Sequence, residues 1–268
     1  MANINALGNA LSTNYLFGTN NQRQDSIAKL WSAYGSYQSN AQQSLAGLTE
    51  INTNLKSVLT AYEDAKTAFQ TEFAETMSDL GKSAAKVKDF NFNVNPDGAI
   101  TNVTETDKDG KATTTTKYSE ELQAALNTVK DFVDDYNNAV KFFDDNKSVS
   151  KRVEMLGDAF GDTTYRAASY AAIGLTTNSD GSISINESKL AAAIVNDPGK
   201  VSTVLGDDGL AGKAESHISF ANGQREKLFP SAEKMLGDEL SAAALYTGNA
   251  FRNMSAINNV GSLLNMMF

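Results

Sequence analysis

Two long segments of this sequence repeat apolar residues at alternating intervals of four and three. The first occupies residues 45–90, and its predicted core positions are Leu48, Ile51, Leu55, Val58, Tyr62 and Phe69. A helix over the whole segment is about 65 to 70 Å long at 1.5 Å per residue, too long to be buried inside a compact domain of this size. The pattern therefore predicts a rod with one apolar seam, as in a coiled coil.

The second repeat follows the first after about thirty residues. Its predicted core positions are Leu122, Leu126, Val129, Val133, Tyr136 and Val140. Aromatic residues at this spacing are typical of a packed helical core rather than of a ligand pocket. We therefore expect a mainly α fold, a long antiparallel coiled-coil-like helical bundle in which the two rods lie side by side.

A short β insertion at residues 91–117 separates the rods. Phe90, Phe92 and Val94 alternate with polar residues, and turn signals follow at residues 95–98 and again at 107–110. A run of threonines, which favour strands, closes the segment. The pattern predicts a small meander or hairpin of about three strands.

A second region of turns lies at residues 174–186, and two readings of it are open. Counting from Thr176, the segment resembles a calcium-binding loop with Asp180 at position five, Gly181 at six and Glu187 at twelve, but position one lacks the required carboxylate. The other reading is a structural corner, a tight turn at Asp180 and Gly181 followed by a short strand. Two helix starts follow, the first with Asn186 as N-cap and the second with Asp197 as N-cap and Pro198 as first residue. The missing ligand favours the structural corner, so we predict no metal and no cofactor.

The stretch "YAAIGLTTNSDGSISINESKLAAAIVNDPGKVSTVLG" resembles the C-terminal signature of bacterial flagellar filament-capping proteins, the hook-associated protein two family. The upstream "NTVKDFVDDYNNAV" and "LGDAFGDTTYRAA" resemble the preceding helices of that family, in the same order. The resemblance covers roughly residues 122–230. Full-length filament caps carry large outer β domains at the position where this sequence has only the insertion at 91–117.

The two ends of the chain carry further apolar patterns. Residues 1–43 hold a polar segment and a predicted terminal helix, 44–230 the rods, and 231–268 a C-terminal helix expected to pair with the N-terminal one. In flagellar axial proteins, which the chain resembles, paired terminal helices assemble into the inner tube. The alternative is a bundle closed within one chain. The predicted assembly interface comprises Ile27, Leu30, Trp31, Tyr34, Met254, Ile257, Leu264, Met267 and Phe268.

Composition argues against several classes of function. The net charge of −9 argues against a nucleic-acid partner, since phosphate neutralisation needs clustered lysine and arginine. No apolar run is long enough to predict membrane insertion. The chain has no cysteine and one histidine, His217, whose neighbours form no catalytic motif. We predict that the protein is not an enzyme.

The resemblance implies an exported, self-assembling structural protein of the bacterial flagellum. It implies a homo-oligomer, contacts with other flagellar axial proteins such as flagellin and hook-associated proteins, and an export chaperone as a further partner. The first 22 residues carry no charged side chain and no signal-peptide pattern, so we expect export to the extracellular filament without a cleaved signal peptide. The alternatives are a flagellin-like filament subunit and a secreted binding module or adhesin.

Overall fold

The structure is a computed structural model that describes residues 29–30, 32–33, 48–106, 112–161 and 166–236. The chain divides into two compact units, one formed by residues 1–72 with 229–268 and the other by 73–228. The boundary falls inside a helix, between Glu72 and Phe73, whereas the sequence pattern places boundaries near residues 43 and 230. A compact unit is defined by contacts rather than by helix ends, so a long helix can contribute to both.

The unit of residues 73–228 is built around two antiparallel helices, α1 (Leu48–Asp89) and α2 (Glu120–Asn146). Near one end the rings of Phe73 and Phe142 lie 6.0 Å apart, and near the other Lys86 pairs with Asp131 at 3.2 Å. The sequence order of these contacts is opposite on the two helices, so they run antiparallel. The mainly α, antiparallel architecture predicted from the 4-3 repeats is confirmed.

The β insertion is one hairpin, formed by β1 (Ile100–Thr106) and β2 (Ala112–Tyr118). The third strand predicted around Phe90, Phe92 and Val94 is wrong, because residues 90–96 form no strand. The Asn91 side chain accepts from the Asn93 N–H, and the Asn95 side chain accepts from the Asp97 N–H. Such local hydrogen bonds give the backbone an alternative to a sheet ladder.

The rest of this unit, where the structure describes it, comprises five helices and two short strands. They are α3 (Lys151–Gly161), α4 (Ala167–Ala172), β3 (Leu175–Thr177), β4 (Ile183–Ile185), α5 (Glu187–Asn196), α6 (Pro198–Leu205) and α7 (Leu210–Leu228). Strands β3 and β4 form a three-residue antiparallel hairpin. Helix α2 contacts α3, α5 and β4, while α7 contacts α3 and α6. The corner therefore packs against α2 through β4 and α5.

In the other unit, the described residues join the first part of α1 to the segment that contains α8 (Ala232–Leu236). The rings of Tyr62 and Phe69 lie 5.7 and 5.5 Å from the ring of Phe229. The Tyr62 hydroxyl donates a hydrogen bond of 2.8 Å to the Pro230 carbonyl oxygen. Both aromatic seam residues of this part of α1 therefore hold the chain that follows α7.

Candidate assembly surfaces

Only one of the nine residues predicted for the assembly interface lies in the described part of the chain. This residue is Leu30, and its side chain is fully buried. The other eight lie outside the described residues, namely Ile27, Trp31, Tyr34, Met254, Ile257, Leu264, Met267 and Phe268. The terminal-helix interface therefore stays a prediction.

The predicted seam residues of α1 and α2 lie inside the two units wherever their side chains are described. In α1 these residues are Val58, Tyr62 and Phe69, all with 4% exposure or less. Leu48, Ile51 and Leu55 lie in the helix, but their side chains are outside the description. In α2 the buried residues are Leu122, Leu126, Val129, Val133, Tyr136 and Val140.

The turn between β3 and β4 brings Asp180 and Gly181 against the end of α3. The Gly181 N–H donates to the Asn178 carbonyl at 3.1 Å, and the Asp180 carboxylate accepts from the Ser182 N–H and hydroxyl. The hydroxyl bond and then the backbone bond from Ser182 hold the pKa of Asp180 below its usual range. Asp180 is therefore committed to closing this turn as an ionised acceptor.

Two helix caps complete the corner. Asn186 caps α5 by accepting from the Lys189 N–H at 3.0 Å, and Asp197 caps α6 by accepting from the Lys200 N–H at 3.1 Å. Pro198 occupies the start of α6, where a missing N–H costs no helical hydrogen bond. These caps fix the angle at which the chain leaves α5 and enters α6.

Glu187, the twelfth position of the calcium-like loop, points to a lysine. Its carboxylate lies 2.6 Å from the Lys130 ammonium on α2. The other acidic candidate, Asp180, is engaged by Ser182. No group of three or more metal-binding side chains occurs among the described residues. The geometry therefore assigns both carboxylates to the structural corner.

The side chain of Asn137 on α2 holds β4 in place. Its amide oxygen accepts from the Ile183 N–H at 2.7 Å, and its amide NH₂ donates to the Ile183 carbonyl at 2.9 Å. The amide thus satisfies both backbone groups of Ile183, as a neighbouring strand would. The sequence pattern shows Asn137 only as a polar residue beside the seam, so this role was not predicted.

We expect Asn137→Ala to lower the free energy of unfolding by about 2 kcal/mol, because it leaves the half-buried backbone groups of Ile183 without partners. Asn138→Ala is the matched control, since Asn138 is the exposed next residue on the same helix. Chemical denaturation measures both changes. Amide hydrogen exchange at Ile183 should accelerate only in the first variant, and equal exchange in both would contradict the contact.

Helices α3 and α7 form an antiparallel pair with an exposed apolar surface. The Ser150 hydroxyl donates to the Leu228 carbonyl at 2.6 Å, Arg152 donates to Gln224, and the rings of Phe160 and His217 lie 5.1 Å apart. One turn beyond Arg152 and one turn before Gln224 lie Met155 and Phe220, each 61% exposed. Helical periodicity places them on the same side of the pair as the Arg152–Gln224 bond. We call these two residues the α3–α7 apolar pair.

An open, acidic cavity of about 270 Å³ lies beside the corner. It is lined by Val140, Phe143, Asp144, Lys147, Glu154, Gly157, Asp158, Gly161, Ser179, Asp180 and Gly181. Lys147 pairs with Asp144 at 2.7 Å, and Lys151 pairs with Glu154 at 2.9 Å. Four of the lining residues carry carboxylates. Those of Asp144 and Glu154 are therefore each paired with a lysine three residues away in the sequence.

Asp135 is a half-buried carboxylate where α2 faces α1. Burial is the largest cause that raises its pKa, a hydrogen bond with Ser83 opposes the shift, and the charges of Asp79, Asp131 and Asp134 add to it. A folded-state pKa above the unfolded value means that the ionised carboxyl disfavours folding. This cost is present at neutral pH and disappears as the pH falls through the folded-state pKa.

We therefore expect Asp135→Asn to raise the Tm at pH 7, and the gain over the wild type to shrink as the pH falls toward 4. Thermal unfolding followed by circular dichroism across this range measures the effect. Asp134→Asn removes only one of the three neighbouring charges and leaves the burial of Asp135 unchanged, so it should give a smaller gain. A lower Tm for Asp135→Asn at pH 7 would mean that the bond with Ser83 outweighs burial.

Lys88 joins the end of α1 to the segment around α7. Its ammonium lies 2.7 Å from Asp207 and 2.8 Å from Glu215. These two hydrogen-bonded carboxylates, Asp207 first, raise the pKa of Lys88 above its ordinary value. A cation at the last turn of α1 also complements the helix dipole. Lys88 is thus charged throughout the physiological pH range.

The corner lies in the part of the chain that matches a known protein family. Residues 154–259 match the family model described as the flagellar hook-associated protein 2 C-terminus. This segment belongs to that family. The hook-associated protein 2 segment contains most of α3, all of the corner and α7, and extends past the described residues. The earlier resemblance covered 122–230, so the family match starts later, after α2, and ends later.

The family is a structural component of the flagellum. The match supports a flagellum-associated protein of the hook-associated or cap type in general. No curated protein and no solved structure is significantly similar to it. No helix in the described ranges has both the length and the hydropathy needed to cross a membrane.

Proposed function

We propose that this chain is an exported subunit that assembles with copies of itself at the flagellar filament, as a cap without outer domains. The family match at residues 154–259 is the observation that carries the proposal. The corner and α7, which lie in the matched segment, are held by structural contacts rather than by reactive groups. The function that this arrangement supports is the presentation of surfaces to neighbouring subunits.

The α3–α7 apolar pair supports such a contact. Met155 and Phe220 are the two most exposed large apolar side chains among the described residues, and both lie in the matched segment. Leaving them in water forgoes the stabilisation that burial gives, about 1.5 to 3 kcal/mol per side chain. A neighbouring axial protein, either another copy or flagellin, would bury them.

The terminal segments are the second expected contact. Their apolar repeats from Ile27 to Tyr34 and from Met254 to Phe268 favour pairing between subunits, as in other axial proteins. Export and escort by a chaperone belong to the same proposal, since an apolar end needs cover before assembly.

Truncation after Met254 tests the proposal. We expect deletion of residues 255–268 to leave a folded, strongly helical monomer and to abolish higher-order particles, because each subunit contact loses several apolar side chains of about 1.5 to 3 kcal/mol each. Sedimentation velocity and circular dichroism on both proteins give the answer. The double variant Met155→Ser with Phe220→Ser should also weaken assembly while leaving the helical signal unchanged.

A full-length protein that stays monomeric at high concentration, with a truncation that unfolds, would contradict self-assembly. It would favour the closed bundle, and with it the secreted binding module. Electron microscopy of the particles distinguishes a cap from the flagellin-like alternative, since a cap forms closed rings and a filament subunit forms tubes.

A further inference from the structure

The β1–β2 hairpin is exposed on both of its faces. Ile100, Thr101, Asn102 and Thr104 are exposed on β1, as are all residues of 113–117 on β2. Within the described ranges, neither strand pairs with a third. An isolated two-stranded hairpin is only marginally stable in water. Among the described residues, the hairpin therefore has two open edges and no core of its own.

The backbone ladder shows which groups face outward. The Ser119 N–H donates to the Ala99 carbonyl at 2.9 Å, just beyond the Ile100–Tyr118 pair. In an antiparallel ladder, pairs that exchange hydrogen bonds alternate with pairs that do not. The pairs Asn102–Thr116 and Thr104–Thr114 are therefore of the second kind. Their N–H and C=O groups point away from the hairpin, along its two edges.

Most of each edge lacks the usual protection against pairing, because charge is confined to Glu105 near the end of β1 and Lys117 near the end of β2. Proteins block open edges with lysine, proline or bulges. Residues 100–104 and 113–116 contain no charged residue and no proline, and the register continues through seven pairs without a bulge. Threonine also has a high strand propensity. Both edges are thus suited to accept another strand.

The two edges also fit each other. Inside one hairpin, the hydroxyls of Thr104 and Thr114 lie 3.1 Å apart, and the Thr116 hydroxyl donates to Asn102 at 3.0 Å. A second hairpin placed beside the first in the same sense brings β1 of one copy next to β2 of the other. The same neutral residue types then face each other again, with no like charges opposed over 100–104 and 113–116.

We propose that β2 of one copy pairs with β1 of a neighbouring copy, so that the hairpins form a continuous sheet between subunits. The inference rests on the proposed self-assembly and names one of its contacts. Because the two edges differ, the contact is head-to-tail and can close into a ring. A single strand pair is weak alone, but it acts at high effective concentration when another contact already joins the subunits.

Cysteine cross-linking tests the pairing, because the chain has no cysteine of its own. Val103→Cys and Thr115→Cys each place one thiol, and in the new ladder these positions form the non-hydrogen-bonded pairs whose Cα atoms approach most closely. We expect oxidation of a mixture of the two variants, one carrying a size tag, to give the mixed dimer severalfold above Val103→Cys mixed with the control Asn138→Cys. Asn138 is exposed on α2.

A second variant reports on assembly itself. Thr114→Lys with Thr116→Lys adds charge along the β2 edge and should shift assembly to severalfold higher protein concentration, whereas Asn127→Lys with Asn138→Lys on the exposed side of α2 should not. Particles without excess mixed dimer, and without a shift for the β2 variant, would overturn the pairing and leave the proposed self-assembly standing. The absence of both particles and mixed dimer would overturn both proposals.

Discussion

Gly181→Ala is expected to lower the free energy of unfolding by about 2 to 5 kcal/mol. Gly181 has a φ of +83°, where a side chain is strained. A Cβ at this position would also lie 2.4 Å from the Gly161 Cα and 2.8 Å from its carbonyl oxygen. Both obstacles are backbone atoms, so the β3–β4 turn must move away from α3. Urea denaturation followed by circular dichroism measures the loss.

Gly98→Ala separates strain from contact. Gly98 has a similar φ of +75°, but a Cβ added at this position would have no neighbouring atom within 4 Å. Only the left-handed backbone then costs free energy, about 1 to 2 kcal/mol. The difference between the two variants reports the close approach of Gly181 to Gly161. Equal losses would mean that this approach does not occur in solution.

Val133→Asp should cost at least about 3 kcal/mol, because it buries a carboxylate without a partner. Val133 is 1% exposed in the middle of the α2 seam. Since burial raises the pKa of the introduced carboxyl, the variant should regain part of its stability as the pH falls. Thermal unfolding at pH 4 and pH 7 measures both effects.

Asn138→Asp is the control for the Val133 variant, because it adds the same charge at an exposed position five residues further along α2. We expect a change of only a few tenths of a kcal/mol there, as for other like charges at helical spacing. If the two variants unfolded at the same temperature, the assignment of Val133 to the seam would be wrong.

Local signals in the sequence account for the helices and their ends. The 4-3 spacing of apolar residues in α2 predicts both the helix and its buried face, since a helix presents every third or fourth residue on one side. Asn186 and Asp197 predict the starts of α5 and α6, because a cap needs only its own side chain and the next turn of backbone. The turn at Asp180 and Gly181 could be predicted for the same reason, because its signal lies in adjacent residues.

The tertiary structure alone decided the features that depend on distant partners. Asn137 holds Ile183 across 46 positions of sequence, and Lys130 meets Glu187 across 57. No periodicity marks either pair. The strand predicted around Phe92 does not form, because the Asn91 side chain accepts a hydrogen bond from the Asn93 N–H in place of a neighbouring strand. Phe92 is buried, but outside any sheet.

The sequence by itself determined the mainly α architecture, the two seams and the resemblance to the flagellar family. Periodicity and capping act within a few residues, so they survive in a one-dimensional pattern. The packing of the corner against α2 depends on contacts between distant residues. The exposure of Met155 and Phe220 and the open edges of the hairpin depend on which surfaces remain uncovered after packing. These depend on contacts between residues far apart in the chain, and only the folded arrangement specifies them.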